Sequence, residues 1–322
     1  MKYWKCITTV MLASAVLGSG VQAASYPDKP VSLIVPYPPG GATDVVARLL
    51  AQNLSTKWGQ QVVVNNRPGA GTTIAAEFVA RSPGDGYTLY ETTAAHTISA
   101  SLYSKLNYDP IKDFAPVTLT VTIPLVLVTA PNFPAKSLDD VIKQGKSSST
   151  GITVASTGNG TPQHLTAELF KSKTGINMVH VPYKGDSPMV TDLLGGQVQM
   201  AFVTLSAALP HIVSGKLNAV ALAHPRRVDA IRDVPTMAEV GMPGFEAATW
   251  FGLFGPATMP AELRQKIYHD VARIVEQPEV TKMLQDMGGD VNNSSPEAFQ
   301  AFIDAEAARW GEAVKLSGAR VD

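Results

Sequence analysis

The feature that most constrains this chain is one module used twice. Val31, Ser32, Leu33, Ile34 and Val35 make an apolar strand. It runs into Pro36-Tyr37-Pro38-Pro39-Gly40-Gly41-Ala42-Thr43-Asp44 and then into a helix expected from about Val45. The pattern recurs with Ile152, Thr153, Val154, Ala155 and Ser156 as the strand. Its loop is Thr157-Gly158-Asn159-Gly160-Thr161, and its helix opens near Pro162. A glycine-rich loop between strand and helix exposes backbone N–H groups at the positive end of the helix dipole, which suits an anion without any charged side chain. Two copies on one chain point to two lobes closing on an anionic solute.

The N-terminus reads as an export signal. Lys2 and Lys5 form a basic start, residues 7–16 are mostly apolar, and small residues follow to Ala23 and Ala24. That order describes a secretory signal peptide cleaved after Ala23 or Ala24, and the apolar run is too short to span a bilayer. Cys6 is the only cysteine. The mature chain is therefore expected to hold itself together through its core alone, and residues 25–322 are ample for two domains. The net charge is −1, and removing Lys2 and Lys5 makes it more negative. Without a basic excess, nucleic acid is not an expected partner. Residues 119–130 are the next most apolar run, but they are short and carry Pro124. An exported, disulfide-free chain of this kind fits a Gram-negative periplasm.

Strand-like runs alternate with helical ones through most of the sequence. Strands are expected at 31–35, 61–65, 87–92, 116–121, 125–129, 152–156, 176–181, 198–204, 218–223 and 251–254. In the first helix Val45, Val46, Leu49, Leu50 and Leu54 fall on one face, and in the helix after Pro162 so do Leu165, Leu169 and Phe170. Such alternation predicts an α/β fold with mainly parallel sheets flanked by helices. The C-terminal part turns helical. Pro260 and Pro296 open helices, Ser295 is placed as an N-cap, and Phe299, Phe302, Ile303, Trp310 and Val314 make an apolar stripe. This tail is expected to pack on the first lobe. One crossing between lobes is expected near 123–125 and a return near 243–250. That gives 1–24 as signal, 25–124 with 247–322 as lobe one, and 125–246 as lobe two. Two such crossings make a hinge.

Neither glycine-rich loop is a nucleotide fingerprint. Gly158-Asn159-Gly160 and Gly69-Ala70-Gly71 both lack the third glycine of the dinucleotide motif, and no phosphate-loop lysine–serine pair follows. Gly69-Ala70-Gly71 reads as a structural turn, with an anion-facing turn as the alternative. Asp44 would repel a carboxylate, so it is assigned to bracing its loop. The six histidines are scattered without metal-site spacing, so neither a metal nor a cofactor is expected. His164 falls in the first turn of the second module's helix, where it can touch ligand or serve structure. His96 follows a strand, on an expected loop facing the cleft. No Gly-x-Ser-x-Gly elbow occurs after the signal, and no nucleophile–base pair is visible in the sequence.

The chain resembles the periplasmic solute receptors of tripartite tricarboxylate transporters, the TctC-like or Bug-type family. The resemblance runs over nearly all of the mature length. It is carried by 26–30, by 35–41 with Asp44, Ala47 and Arg48, and by Asn66-Arg67-Pro68-Gly69-Ala70-Gly71. It continues through 85–89, 108–110 with Asp113 and Phe114, 158–161 with His164 and Leu165, and His180-Val181-Pro182-Tyr183-Lys184-Gly185. Residues 192–198, 234–236 with Glu239, and Trp250 complete it.

The resemblance implies a two-lobed, Venus-flytrap periplasmic-binding-protein fold. It also implies a carboxylate held by two loops, partly through ordered water, and delivered to integral-membrane permease subunits. Here the loops are 38–43 and 156–161. The implied ligand residues are Tyr37, Pro39, Gly40, Gly41 and Thr43 on one side, and Ser156, Thr157, Gly158, Gly160, Thr161 and His164 on the other. One departure stands out. Many relatives carry an acid after the strand ending near Phe202, where this chain reads Val203-Thr204. In those relatives the acid can meet an amino or hydroxyl group of the ligand. Its loss argues against an amino-acid ligand and leaves Thr204, Thr93 and His96 as selectivity residues. An aromatic or aliphatic carboxylate is then as credible as a tricarboxylate. The expectation is a monomeric, non-enzymatic receptor. Its rivals are a sensor presenting the ligand to a membrane kinase and a periplasmic hydrolase or isomerase.

Overall fold

A computed structural model describes residues 26–317; the expected signal peptide lies outside the described residues. The order begins β1 (Val31–Val35), α1 (Ala42–Trp58), β2 (Val62–Asn66), α2 (Thr73–Ala80), β3 (Thr88–Thr93), α3 (Ala95–Leu102). A long strand β4 (Phe114–Thr129) follows, then α4 (Leu138–Ser147), β5 (Ile152–Ser156), α5 (Pro162–Thr174), β6 (Met178–Pro182) and α6 (Asp186–Leu194). After these come β7 (Met200–Thr204), α7 (Leu205–Val213), β8 (Asn218–Leu222), β9 (Ala248–Pro256), α8 (Ala261–Val275), α9 (Pro278–Asp286), β10 (Asp290–Val291) and α10 (Pro296–Ser317).

The fold is two-lobed α/β. Each lobe is built on a parallel block with the same order. β1 sits between β2 and β3, and β5 sits between β6 and β7. Antiparallel strands extend both blocks: β9 on β3, and β4 on β9 in one lobe and on β7 and β8 in the other. The sheets are thus mixed, and the antiparallel pairs cluster around the strand shared by both lobes. The two expected strands at 116–121 and 125–129 are one strand, β4. From Phe114 to Pro124 it pairs with β9, and from Leu125 to Thr129 with β7 and β8. Pro124 lacks an N–H and so sits at the point where the partners change. Beyond it, Leu125 N–H donates to Ala247 O at 2.9 Å, and Ala223 N–H donates to Leu125 O at 2.9 Å.

The helices bury narrower stripes than their periodicity suggests. In α1 the core face is Val46, Ala47, Leu50, Ala51 and Leu54, and Val45 is exposed. The helix also starts earlier than expected, directly after Gly41, and Gly59 ends it in a left-handed conformation. In α5 Leu165 and Phe170 are buried and Leu169 is exposed. The C-terminal helix packs on β9 and α3, and also against α5. Ser295 Oγ accepts the Ala298 N–H at 3.2 Å. Phe299 lies 5.0 Å from Phe254 and 5.8 Å from Trp250 between ring centroids. Glu306 accepts from the indole N–H groups of both Trp250 and Trp310. Four of the helices between strands, α3, α4, α6 and α7, had no bounds assigned from the sequence; all are ten residues or shorter.

Among the described residues, no helix is long and apolar enough to cross a membrane.

Candidate functional site

The C-terminal ends of the two parallel blocks face each other. The turns after β1 and β2 meet those after β5 and β6, so the loops of both lobes border one space. This is where open α/β sheets hold ligands. Pro36, Tyr37, the 69–72 turn, Tyr103, the 157–159 turn and residues 182–184 line a cavity of about 360 Å³. The lobes touch around it. Ala42 N–H, at the start of α1, donates to Asp186 Oδ2 of α6 at 3.4 Å. A Cβ on Gly185 would sit 3.0 Å from Pro38, and one on Gly40 would sit 3.3 Å from Ser187 Oγ.

The first loop is held by Asp44. Its Oδ2 accepts from Gly40 N–H at 2.9 Å and from Arg48 Nε at 2.8 Å, and its Oδ1 accepts from Asn66 Nδ2 at 2.9 Å. Burial works against the charged carboxylate, but these donors outweigh it and hold the carboxyl below its usual range. Gly40 has φ +85°, a conformation that glycine adopts without steric cost. Asp44 therefore braces the loop. Tyr37 turns its hydroxyl to Thr93 Oγ1 at 3.0 Å, and burial raises its pKa.

The second loop consumes much of its own polarity. Ser156 Oγ accepts the Gly158 N–H at 3.2 Å and lies 2.6 Å from His180 Nε2. Gly160 N–H donates to His164 Nδ1 at 3.1 Å. Thr161 Oγ1 donates to Gly158 O at 2.8 Å and accepts from His164 N–H, capping α5. Ser156, Gly160, Thr161 and His164 are thereby engaged in shaping the loop. Thr157 faces the other way. Its Oγ1 donates to Gln163 Oε1 at 3.0 Å, and Gln163 Nε2 donates to Thr204 Oγ1 at 3.0 Å.

Several expected residues fall elsewhere. His96 is on α3, not on a loop, and is fully buried in an aromatic cluster 4.4 Å from Phe114 and 5.1 Å from Phe254 between ring centroids. Burial lowers its pKa to about 4. A neutral ring packed this way is a core residue. Pro39 is exposed and is not among the cavity residues. Gly41 and Thr43 are buried at the start of α1. The 69–72 turn, expected to be structural, borders the cavity. Ala70 and Thr72 there have φ of 43° and 87°, and the buried Thr72 hydroxyl has no partner.

The sequence reading also missed Gln163, Asp186 and a Ser156–His180 pair at nucleophile–base distance. Ser156 is completely buried. Burial lowers the pKa of His180 to about 4, and among the described residues no carboxylate is hydrogen-bonded to its ring. That pair is a brace. Among the described residues no His, Asp or Glu cluster suits a metal ion.

Residues 46–318 match the tripartite tricarboxylate transporter family receptor, TctC. The chain is 37% identical to the protein BugT of Bordetella pertussis over 314 residues, which is 97% of this chain and 96% of BugT. The structure of the periplasmic binding protein BugD superposes with a TM-score of 0.87 at 33% identity, covering 92% of this chain and 99% of BugD. An R. palustris protein solved with adipate gives 0.89 at 34% identity, covering 92% of this chain and all of that one. The chain belongs to the TctC family of tripartite tricarboxylate transporter receptors, the family that contains the Bug proteins.

Proposed function

We propose that this protein is a periplasmic, non-enzymatic receptor that takes a small organic carboxylate between its lobes. It then presents the ligand to integral-membrane subunits of a tripartite transporter. The observation that carries the reading is the cavity of about 360 Å³ bordered by the strand-to-helix loops of both lobes. Its volume falls within the usual range for small-molecule sites, roughly 300–1,000 Å³. Two helices, α1 and α5, start beside it, and the first N–H groups of a helix have no partner within the helix. Such donors hold a carboxylate through charge-assisted bonds. The bound adipate of the R. palustris relative fits the same ligand class.

In this reading the lobes are 25–124 with 247–322, and 125–246. The strand β4 and the 247–248 return act as the hinge. Ligand bridging both loops favours the closed form by binding it better than the open one. Tyr37, Thr93, Thr157, Gly158 and Thr204 supply polar atoms to the cleft. Gly40, Gly41 and Thr43 supply backbone. The receptor works as a monomer, exported by its first 24 residues. The buried Ser156 gives a substrate no route to a nucleophile, which favours binding over hydrolysis.

The test is a thermal-shift screen of ligand-stripped protein against citrate, succinate, glutamate, nicotinate, benzoate and terephthalate. A ligand at 100 times its Kd adds about 2.7 kcal/mol of stability, enough to move the midpoint visibly. Shifts confined to carboxylates support the reading. Silence across carboxylates, or turnover of any of them, overturns it.

A further inference from the structure

A second cavity lies outside the cleft, between α5 and α10. It holds about 390 Å³, a volume usual for small-molecule sites, and shares no lining residue with the cleft cavity. Its walls follow from two helix stripes. On α5, Leu165 and Leu169 lie four residues apart and so share a face. Leu165 is buried, whereas Leu169 is 43% exposed and opens onto the cavity. Trp310 and Ala313 line it from α10, and Ala247 from the return between the lobes. The small side chains of Ala247 and Ala313 leave room that larger residues would fill.

The charges around this apolar space are mostly of one sign. Glu168, Glu246 and Glu312 line the cavity, and Arg309 is the one basic residue among its lining side chains. Arg309 is committed twice. Its Nη2 lies 2.8 Å from Glu306 Oε1, and its guanidinium sits 4.7 Å from the centroid of the Trp310 ring. Glu168 is loosely paired with Lys171 at 3.9 Å. Glu246 and Glu312 are exposed and form no ion pair among the described residues. Apolar walls beneath unpaired carboxylates disfavour an anion, including a carboxylate of the kind proposed for the cleft. They favour a molecule with an apolar body and a positive charge.

We propose that the α5–α10 cavity is a second ligand site, for a small organic cation with an apolar body. In the division into lobes proposed above, α5 belongs to one lobe and α10 to the other, so an occupant touches both. An adjoining cavity of about 230 Å³ shares Glu246, Ala247 and Arg309 with it and reaches Ala248, so the site lies against the 247–248 return that serves as hinge. An occupant fitted to this space binds the arrangement in which the lobes also touch at the cleft, through Ala42 and Asp186. By linkage the cation tightens carboxylate binding, and bound carboxylate tightens the cation by the same factor. The coupling rests on the receptor reading; the cation site does not.

The experiment is titration calorimetry of the ligand-stripped protein with phenylbutylammonium and, as its neutral match, phenylbutanol. The expected result is the ammonium binding about tenfold tighter than the alcohol, the scale of two partly exposed ion pairs. The double variant Glu246→Gln with Glu312→Gln brings that ratio close to one. Leu169→Lys places a cation of the protein's own at the cavity and abolishes ammonium binding. All three positions are exposed, so both variants should keep the parent melting temperature. An alcohol that binds as well as the ammonium, ammonium binding that survives Leu169→Lys, or no binding of either overturns the cation site. In a second titration, the best-binding acid of the carboxylate panel is measured with and without saturating phenylbutylammonium. Several-fold tightening is expected, and an unchanged affinity overturns the coupling. If no acid of that panel binds, the receptor reading falls together with the coupling, and the first titration still decides the cation site.

Discussion

The imidazole of His164 lies flat on that of His180, with ring centroids 4.0 Å apart and planes 12° from parallel. Two stacked imidazoles cannot both carry charge cheaply. Each also serves the second loop in its neutral form: Gly160 N–H donates into the lone pair of His164 Nδ1, and His180 Nε2 meets Ser156 Oγ. Burial lowers both to about 4, and for His164 the neighbouring His180 adds to the effect.

The sign follows from linkage. Below pH 6.5 the unfolded chain takes up protons that the folded loop refuses, so stability present above that pH is lost as pH falls toward 4. The melting temperature should decline over that window in scanning calorimetry. His164→Gln should flatten the decline. An unchanged slope in the variant would remove His164 from the account.

Thr161 should cost stability before it costs affinity. Its hydroxyl is occupied by Gly158 O and by the His164 N–H it caps. Thr161→Ala should lower stability by about 1 kcal/mol, the usual loss for an N-cap. Chemical denaturation with and without ligand separates the two effects. A large loss of affinity at unchanged stability would place the hydroxyl on the ligand instead.

Local patterning explains why part of this arrangement could be read from the residues. Val31–Val35 and Ile152–Ser156 are apolar runs punctuated by glycine, and both strands occur at those bounds. Asp44 announced its bracing role because a negative charge is out of place in an anion-facing loop. Long-range relations left no such mark. Pro124 looks like a strand break in sequence, yet β4 runs through it because its pairing partner changes there. His96 follows a strand in the usual place for a cleft loop, but its ring is claimed by Phe114 and Phe254 from distant segments. Asp186 meets Ala42 across 144 residues of chain, and nothing near either residue encodes that meeting.

Glu91 is a second buried acid, and it has no partner for either oxygen. It lies on β3 opposite Leu253 of β9, and burial raises its carboxyl pKa to about 8. Because the folded pKa exceeds the unfolded one of 4.5, its contribution is fully present below pH 4.5 and is lost as pH rises through 8. Glu91→Gln keeps the shape and removes the titration. The variant should match the parent protein near pH 4 and exceed its stability by several kcal/mol near pH 8, at roughly 1.4 kcal/mol per pK unit. Denaturation midpoints measured across that range check it. Parallel curves would mean that Glu91 finds a partner in solution.

Gly160 separates closure from folding. It belongs to the second loop, has φ +74°, and faces Leu102 and Ile98 of α3 in the opposite lobe. A Cβ there would run into Leu102 Cδ2. The left-handed backbone itself costs a non-glycine residue roughly 1–2 kcal/mol, which a protein of this size tolerates. In the proposed division into lobes, this collision arises on closure and is relieved on opening. Gly160→Ala should therefore fold, weaken ligand binding by about tenfold, a differential cost of about 1.4 kcal/mol, and keep a larger radius of gyration with ligand in small-angle scattering. Leu102→Ala in the same chain vacates the space and should restore both affinity and compaction. If the double variant binds no better than the single one, the loss arises in the loop's own backbone and not in the meeting of the lobes.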